Sequence, residues 1–167
     1  MIRVGITGGD GFVGSHLRFF LHEHKDTYET VLIDKDDFAE YKNLLSKIGK
    51  CDIIVHLAGL NRGDEKDIYN TNVGLTRKVL DGCDEIGKKP RIIFLSSIQN
   101  TRDTGYGMSK KKCEDMVYEW GKKNKIFATS VVAPNLFGEF GRNIYLNMMV
   151  FTNSITQNNK RVSVLHA

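Results

Sequence analysis

Thr7-Gly8-Gly9-Asp10-Gly11-Phe12-Val13-Gly14 is the stretch on which the fold turns. A short apolar run over residues 2–7 leads into it. Over residues 12–24, Phe12, Val13, Leu17, Phe20 and Leu21 then recur at helical spacing. Gly8, Gly11 and Gly14 stand three apart. A tight strand-to-helix turn needs a residue free of Cβ restrictions, a backbone approaching a pyrophosphate needs a second, and close packing of helix on strand needs a third. The N–H groups and the dipole at the start of the helix then favour an anion. The strand before and the helix after separate this stretch from an ordinary glycine-rich turn. Gly8, Gly11, Phe12, Val13 and Gly14 are therefore the candidate phosphate-binding residues.

Outward from this loop, strands and helices alternate. Strands are expected over 30–33, 51–57, 91–96 and 126–133, and helices over 38–48, 67–86, 106–122 and 143–157, with a last short strand over 161–165. This order predicts an α/β fold, a Rossmann-type doubly wound parallel sheet with helices on both faces, occupying residues 1–167 as one domain. No strand is evident between Ile33 and Cys51. Leu44, Leu45 and Ile48 are expected to point inward, and Trp120 and the methionines of the 106–122 helix to be core.

Asp34 ends the second strand, 20 residues after Gly14. A carboxylate there accepts hydrogen bonds from the ribose hydroxyls of NAD and repels the 2′-phosphate of NADP. Asp36 and Asp37 push the same way and Lys35 against it. The expected cofactor is NAD or NADP, with NAD favoured by Asp34. At the end of the third strand, Leu57, Ala58 and Gly59 are small or apolar, so their backbone can lie beside the cofactor, while His56 is expected to be a packed strand residue. Asn61 and Arg62 follow and could face substrate. Pro134 and Asn135 follow the strand expected over 126–133, where a turn could meet the nicotinamide amide.

Tyr106 and Lys110 stand at i and i+4, so their side chains share one helix face. An ammonium beside a phenol favours the phenolate and brings an acid/base group toward operating pH. Ser96 and Ser97 close the preceding strand. Alternation lets one of them face the site, and Ser97 is the candidate, holding the reacting carbonyl or alcohol oxygen.

The rest of the composition is permissive. The net charge is +4 and scattered, apart from Lys110-Lys111-Lys112, so nothing calls for nucleic acid. Cys51, Cys83 and Cys113 form no CxxC pair, which argues against zinc or a disulfide framework and for free thiols. No apolar run approaches the ~20 residues of a membrane span, and no leader pattern opens the chain. A cytoplasmic location without membrane partner is expected.

TGGDGFVG, VHLAG, SS and YGMSK, in this order, resemble the extended short-chain dehydrogenase/reductase family of nucleotide-sugar epimerases, dehydratases and 4-keto reductases. HLAGLNR, SSIQ, YGMSK and PNLFG, with nine positions from Ser97 to Tyr106, are similar to the reductase domain of capsular-polysaccharide enzymes that reduce a UDP-linked 4-keto-6-deoxy amino sugar. The resemblance implies catalytic roles for Ser97, Tyr106 and Lys110. It implies cofactor contacts from Gly8, Gly11, Phe12, Val13, Gly14, Asp34, Leu57, Ala58, Gly59, Tyr106, Lys110, Pro134 and Asn135, and substrate contacts from Asn61, Arg62, Ser97 and Asn135. A UDP-sugar substrate and a homodimer through the Tyr106 helix are also implied. A 4-epimerase, or a non-catalytic NAD-binding remnant, is the alternative. Dehydration is disfavoured because Ile98, Gln99 and Asn100 stand where that chemistry needs an Asp-Glu pair. Such relatives are longer, so the C-terminal sugar-binding part is expected to be missing from this chain, and they have Arg where Val132 stands.

Overall fold

The computed structural model describes residues 1–136 and Gly138. The chain divides into two units, Met1–Ala133 and Pro134–Ala167. The helix expected over 143–157 and the strand over 161–165 lie outside the described residues.

The first unit is built on five strands: β1 (Ile2–Thr7), β2 (Tyr28–Ile33), β3 (Ile53–His56), β4 (Arg91–Ser97) and β5 (Ala128–Ala133). All pair in parallel, in the order β2-β1-β3-β4-β5. This is the doubly wound dinucleotide-binding order without the strand that would lie outside β2. Between β2 and β3 the chain is helical, and β2 is an edge strand among the described residues.

Period-2 alternation sends the two sides of each strand to different helices. From β3, Ile54 and His56 are buried on one face, while Val55 packs on the other with Val4 and Ile6. α1 (Phe12–Glu23) covers that second face through Leu17 and Leu21. The first face carries α3 (Tyr41–Ile48), α4 (Glu65–Glu85) and α5 (Gly105–Asn124), which bring Leu44, Ile48, Val79, Cys113, Val117 and Trp120 against Ile54, Ile92 and Phe94. Helices thus lie on both faces. All three cysteines are buried and free.

Three expectations need correction. The helix foreseen over 38–48 is two helices, α2 (Lys35–Ala39) and α3. Asp34 starts α2 directly at the end of β2, accepting from the Asp36 and Asp37 amides, while Asp37 reaches back to the Asp34 amide. This capping box begins a short helix of its own. Glu40 then breaks it with φ −100° and ψ 89°. Leu45 is only half-buried. Of the apolar residues spaced along α1, Phe20 is 52% exposed and lies over His24, because α1 needs only the narrow Leu17–Leu21 side to cover the sheet. Met108 is 46% exposed, whereas Trp120 is buried as expected and donates to Asp84.

Candidate active site

The register sets the C-terminal ends of β1, β2 and β3 level, and β4 and β5 run three residues further. Thr7 pairs with Ile33 and His56, His56 with Phe94, and Ser97 with Ala133. Ligands of open parallel sheets bind outside these ends. Most of the predicted site residues lie there.

Gly8 has φ +69°, the left-handed region, and a Cβ on it would stand 2.8 Å from the Ala58 nitrogen. A Cβ on Gly14 would stand 2.4 Å from the Gly8 oxygen. The fold itself therefore demands these two glycines. Gly11 differs. Its φ is −75°, and a Cβ would meet only the Gly8 oxygen, at 3.2 Å. Gly11 also caps α1 without a side chain, and the first turn holds no acidic residue. The bare, uncapped start of a helix is what a pyrophosphate requires. These residues fit a bound dinucleotide.

Leu57 and Ala58 are held against this cradle by Thr7. Its Oγ1 accepts from the Leu57 amide (3.1 Å) and the Ala58 amide (3.0 Å). Its own proton is then directed at His56 Nδ1, 2.7 Å away. That makes Nδ1 the acceptor and leaves Nε2–H to donate to Thr76 Oγ1 at 3.0 Å. Burial, helped by the charge on Lys110, pushes the His56 imidazole down to about 3, so it is neutral. His56 is a packed strand residue, as the sequence suggests.

Asp34 lies at the end of β2, beyond β1. Its Oδ1 is occupied by the α2 cap, and its Oδ2 is 3.8 Å from Lys47 Nζ, which also meets Asp37 at 2.5 Å. The Asp37 amide first, with Lys47 adding to it, holds its carboxyl below the usual range.

On the other side of β1 and β3, Tyr106 and Lys110 occupy the first turns of α5, whose start is capped by Thr104. Lys110 Nζ is buried over the Phe94 ring (4.8 Å) and lies 5.6 Å from the Tyr106 ring centre. It donates to the Leu95 carbonyl at 2.8 Å, which pins α5 to the end of β4. Burial pulls its ammonium down to about 8, against the opposing pull of Cys113 and Glu114. Ser97 is buried at that same strand end, where its Oγ accepts from the Gln99 amide at 3.2 Å and starts the 3-10 turn Ile98–Thr101. Ser96 Oγ is buried with no hydrogen-bond partner among the described residues. Asn61 and Arg62 are exposed on the loop between β3 and α4. Pro134 and Asn135 are exposed and open the second unit.

Sequence reasoning missed Thr7, Asn72, Thr76 and Ser109, all buried and hydrogen-bonded between the cradle and α5. A signal existed for two of them. Asn72 and Thr76 interrupt the buried stripe Ile68, Val73, Val79, Leu80 of α4, where a polar residue needs a partner to be tolerated.

The chain is 30% identical over 145 residues to the "UDP-2-acetamido-2,6-beta-L-arabino-hexul-4-ose reductase" of Pseudomonas aeruginosa, covering 86% of this chain but 38% of that protein. Among solved structures it is similar to the capsular polysaccharide assembling protein CapF from Staphylococcus aureus, with a TM-score of 0.72 and 29% identity over 98% of this chain and 42% of that one. The RMD protein from Pseudomonas aeruginosa, solved with NADPH, shares the fold at a TM-score of 0.76 and 18% identity, over 97% of this chain and 62% of that one. The chain thus spans about two fifths of the length of the first two. The family described as "NAD dependent epimerase/dehydratase family" matches residues 4–166, and the chain belongs to it.

Proposed function

We propose that the chain carries the cofactor-binding and catalytic part of an oxidoreductase that reduces the 4-keto group of a UDP-linked deoxy sugar for surface-polysaccharide precursors. The observation that carries this is Lys110 Nζ, buried 5.6 Å from the Tyr106 ring beside the strand end bearing Ser97. The name of the 30% identical relative supports the substrate class.

The nicotinamide supplies hydride when bound. Ser97 Oγ holds the keto oxygen, and Tyr106 releases its phenolic proton to that oxygen, turning ketone into alcohol. Lys110 steadies the phenolate left behind. Gly8, Gly11, Phe12, Val13 and Gly14 hold the pyrophosphate with their amides, and Leu57, Ala58 and Gly59 flank it. Asn61 and Arg62 line the sugar side. Asp34 favours NAD. With Oδ1 spent on the cap, the ribose hydroxyls fall to Oδ2.

Tyr106→Phe tests the assignment. It removes one oxygen from a half-buried side chain. NADH affinity, read by fluorescence titration, should stay within about twofold, and turnover should fall by roughly 10²–10⁴, the usual worth of a positioned acid/base. Turnover retained in this variant would remove Tyr106 from the chemistry.

A further inference from the structure

We infer that the end of the sheet opposite the glycine cradle is a docking surface for an anionic phospholipid bilayer, built from two basic loops around the exposed ring of Phe127. This surface makes no use of the catalytic end.

Gly87-Lys88-Lys89-Pro90-Arg91 leads into β4, and Gly121-Lys122-Lys123-Asn124-Lys125 closes α5 ahead of β5. Because β4 and β5 are neighbouring parallel strands, the fold lays the two runs side by side, and the Ile92 amide donates to the Phe127 carbonyl at 3.1 Å. Asp84, in the last turn of α4, ties them together. One of its oxygens accepts from Lys89 Nζ (2.7 Å) and Trp120 Nε1 (2.9 Å), the other from Lys123 Nζ (3.2 Å). Lys88 reaches Asp52 at 3.5 Å. Glu85 turns away to accept from the Tyr41 hydroxyl. Arg91, Lys122 and Lys125 are exposed and form no ion pair among the described residues. Six cations against the two carboxylates they meet leave a surplus of four, equal to the net charge of the whole chain.

Two residues of this rim break local rules. Lys125 has φ +55° at the left-handed C-cap of α5, a place that glycine fills without strain. Phe127, two residues on, is 58% exposed. A glycine and a polar residue would satisfy the loop better. A cation held at a strained cap and an apolar ring left in water both suit a lipid–water interface, where the ring enters among the headgroups and the cations stay at their phosphates. The shape agrees. The rim is made of loop ends rather than a groove, whereas a nucleic-acid strand is held by a charged groove lined with stacking rings. No described helix is long and apolar enough to cross a membrane, and the contact here is with a bilayer surface. Docked this way, the sheet meets the bilayer by the N-terminal ends of β4 and β5 and turns the glycine cradle and Ser97 toward water.

The test is co-sedimentation of the full chain with vesicles of phosphatidylcholine alone and with about one third phosphatidylglycerol, at about 0.1 M salt, where only charges near the surface are felt. Binding to the anionic vesicles and not to the neutral ones is expected. Each basic residue at such a surface is worth about fivefold, so Lys122→Glu with Lys125→Glu should weaken binding by roughly thirtyfold or more. Phe127→Ser should weaken it severalfold. Lys42→Glu with Lys66→Glu makes the same change of net charge on exposed residues elsewhere and should weaken binding by about twofold at most. All these side chains are exposed, so the variants should keep the wild-type melting temperature, which separates loss of the surface from loss of the fold. Equal weakening by both charge pairs would reduce the effect to net charge and overturn the inference. So would a lack of binding to the anionic vesicles. Tighter binding of a single-stranded oligonucleotide, unaffected by Phe127→Ser, would also overturn it and give the same cations to nucleic acid.

Discussion

His56 and Lys110 are two buried bases within the same core, and burial drives both toward the neutral form. For His56 the linkage is plain. The unfolded chain takes up a proton near 6.5 that the folded chain refuses until about 3, so stability falls as pH drops through that window. For Lys110 the folded amine releases its proton at about 8 against 10.5 unfolded, so between those values stability rises with pH. The first of these is directly visible by NMR. The His56 imidazole should stay neutral, with the proton on Nε2, throughout the range where ordinary histidines titrate. A His56 resonance moving with a midpoint near 6.5 would contradict the Thr7–His56–Thr76 chain. At this scale the sequence is uneven. Tyr106 and Lys110 are legible because i,i+4 spacing alone brings them to one face. Thr7 is not, because a hydroxyl at a strand end means nothing until the loop it holds is in place. Asp34 is half legible: its position is readable, but the division of its oxygens between the cap and the outside depends on Asp37 and Lys47, which only the fold brings near.

At the scale of elements, the strand–glycine–helix unit is held by backbone contacts rather than side chains. Gly14→Ala would drive its Cβ to 2.4 Å from the Gly8 oxygen and 2.7 Å from Gly9 Cα. Neither can move without opening the turn. Overpacking of this kind costs about 1–3 kcal/mol, and the chemical-denaturation midpoint should fall accordingly, together with NADH affinity. A Gly14→Ala chain of wild-type stability would mean that α1 does not start as described. The elements themselves follow from periodicity, and their ends from caps: Asp64 for α4 and Thr104 for α5. The break at Glu40 is hidden from periodicity because Phe38, Tyr41 and Ile48 keep helical spacing across it and all pack at one core. What divides that stretch is the Asp34–Asp37 capping box, which local charge pattern marks only weakly.

At the scale of the molecule, strand order decides where chemistry can occur. Because β1, β3 and β4 are adjacent and parallel, the glycine cradle, the Leu57–Leu60 loop and Ser97 emerge from one end of the sheet, and Lys110 ties α5 to the same end through the Leu95 carbonyl. Alternating strand and helix patterns make the parallel sheet legible. The polar chain beneath it, from Thr7 through His56 and Thr76 to Asn72 and Ser109, is not, since it joins residues far apart in sequence. The most direct test of the account is a single-turnover incubation of the chain with 4-deuterated NADH and a UDP-4-keto-6-deoxy amino sugar, with the product read by mass spectrometry and NMR. The account predicts one deuterium on the former keto carbon of the sugar. Bound cofactor with the deuterium retained and the sugar unchanged would contradict the assignment of this site as a sugar ketone reductase.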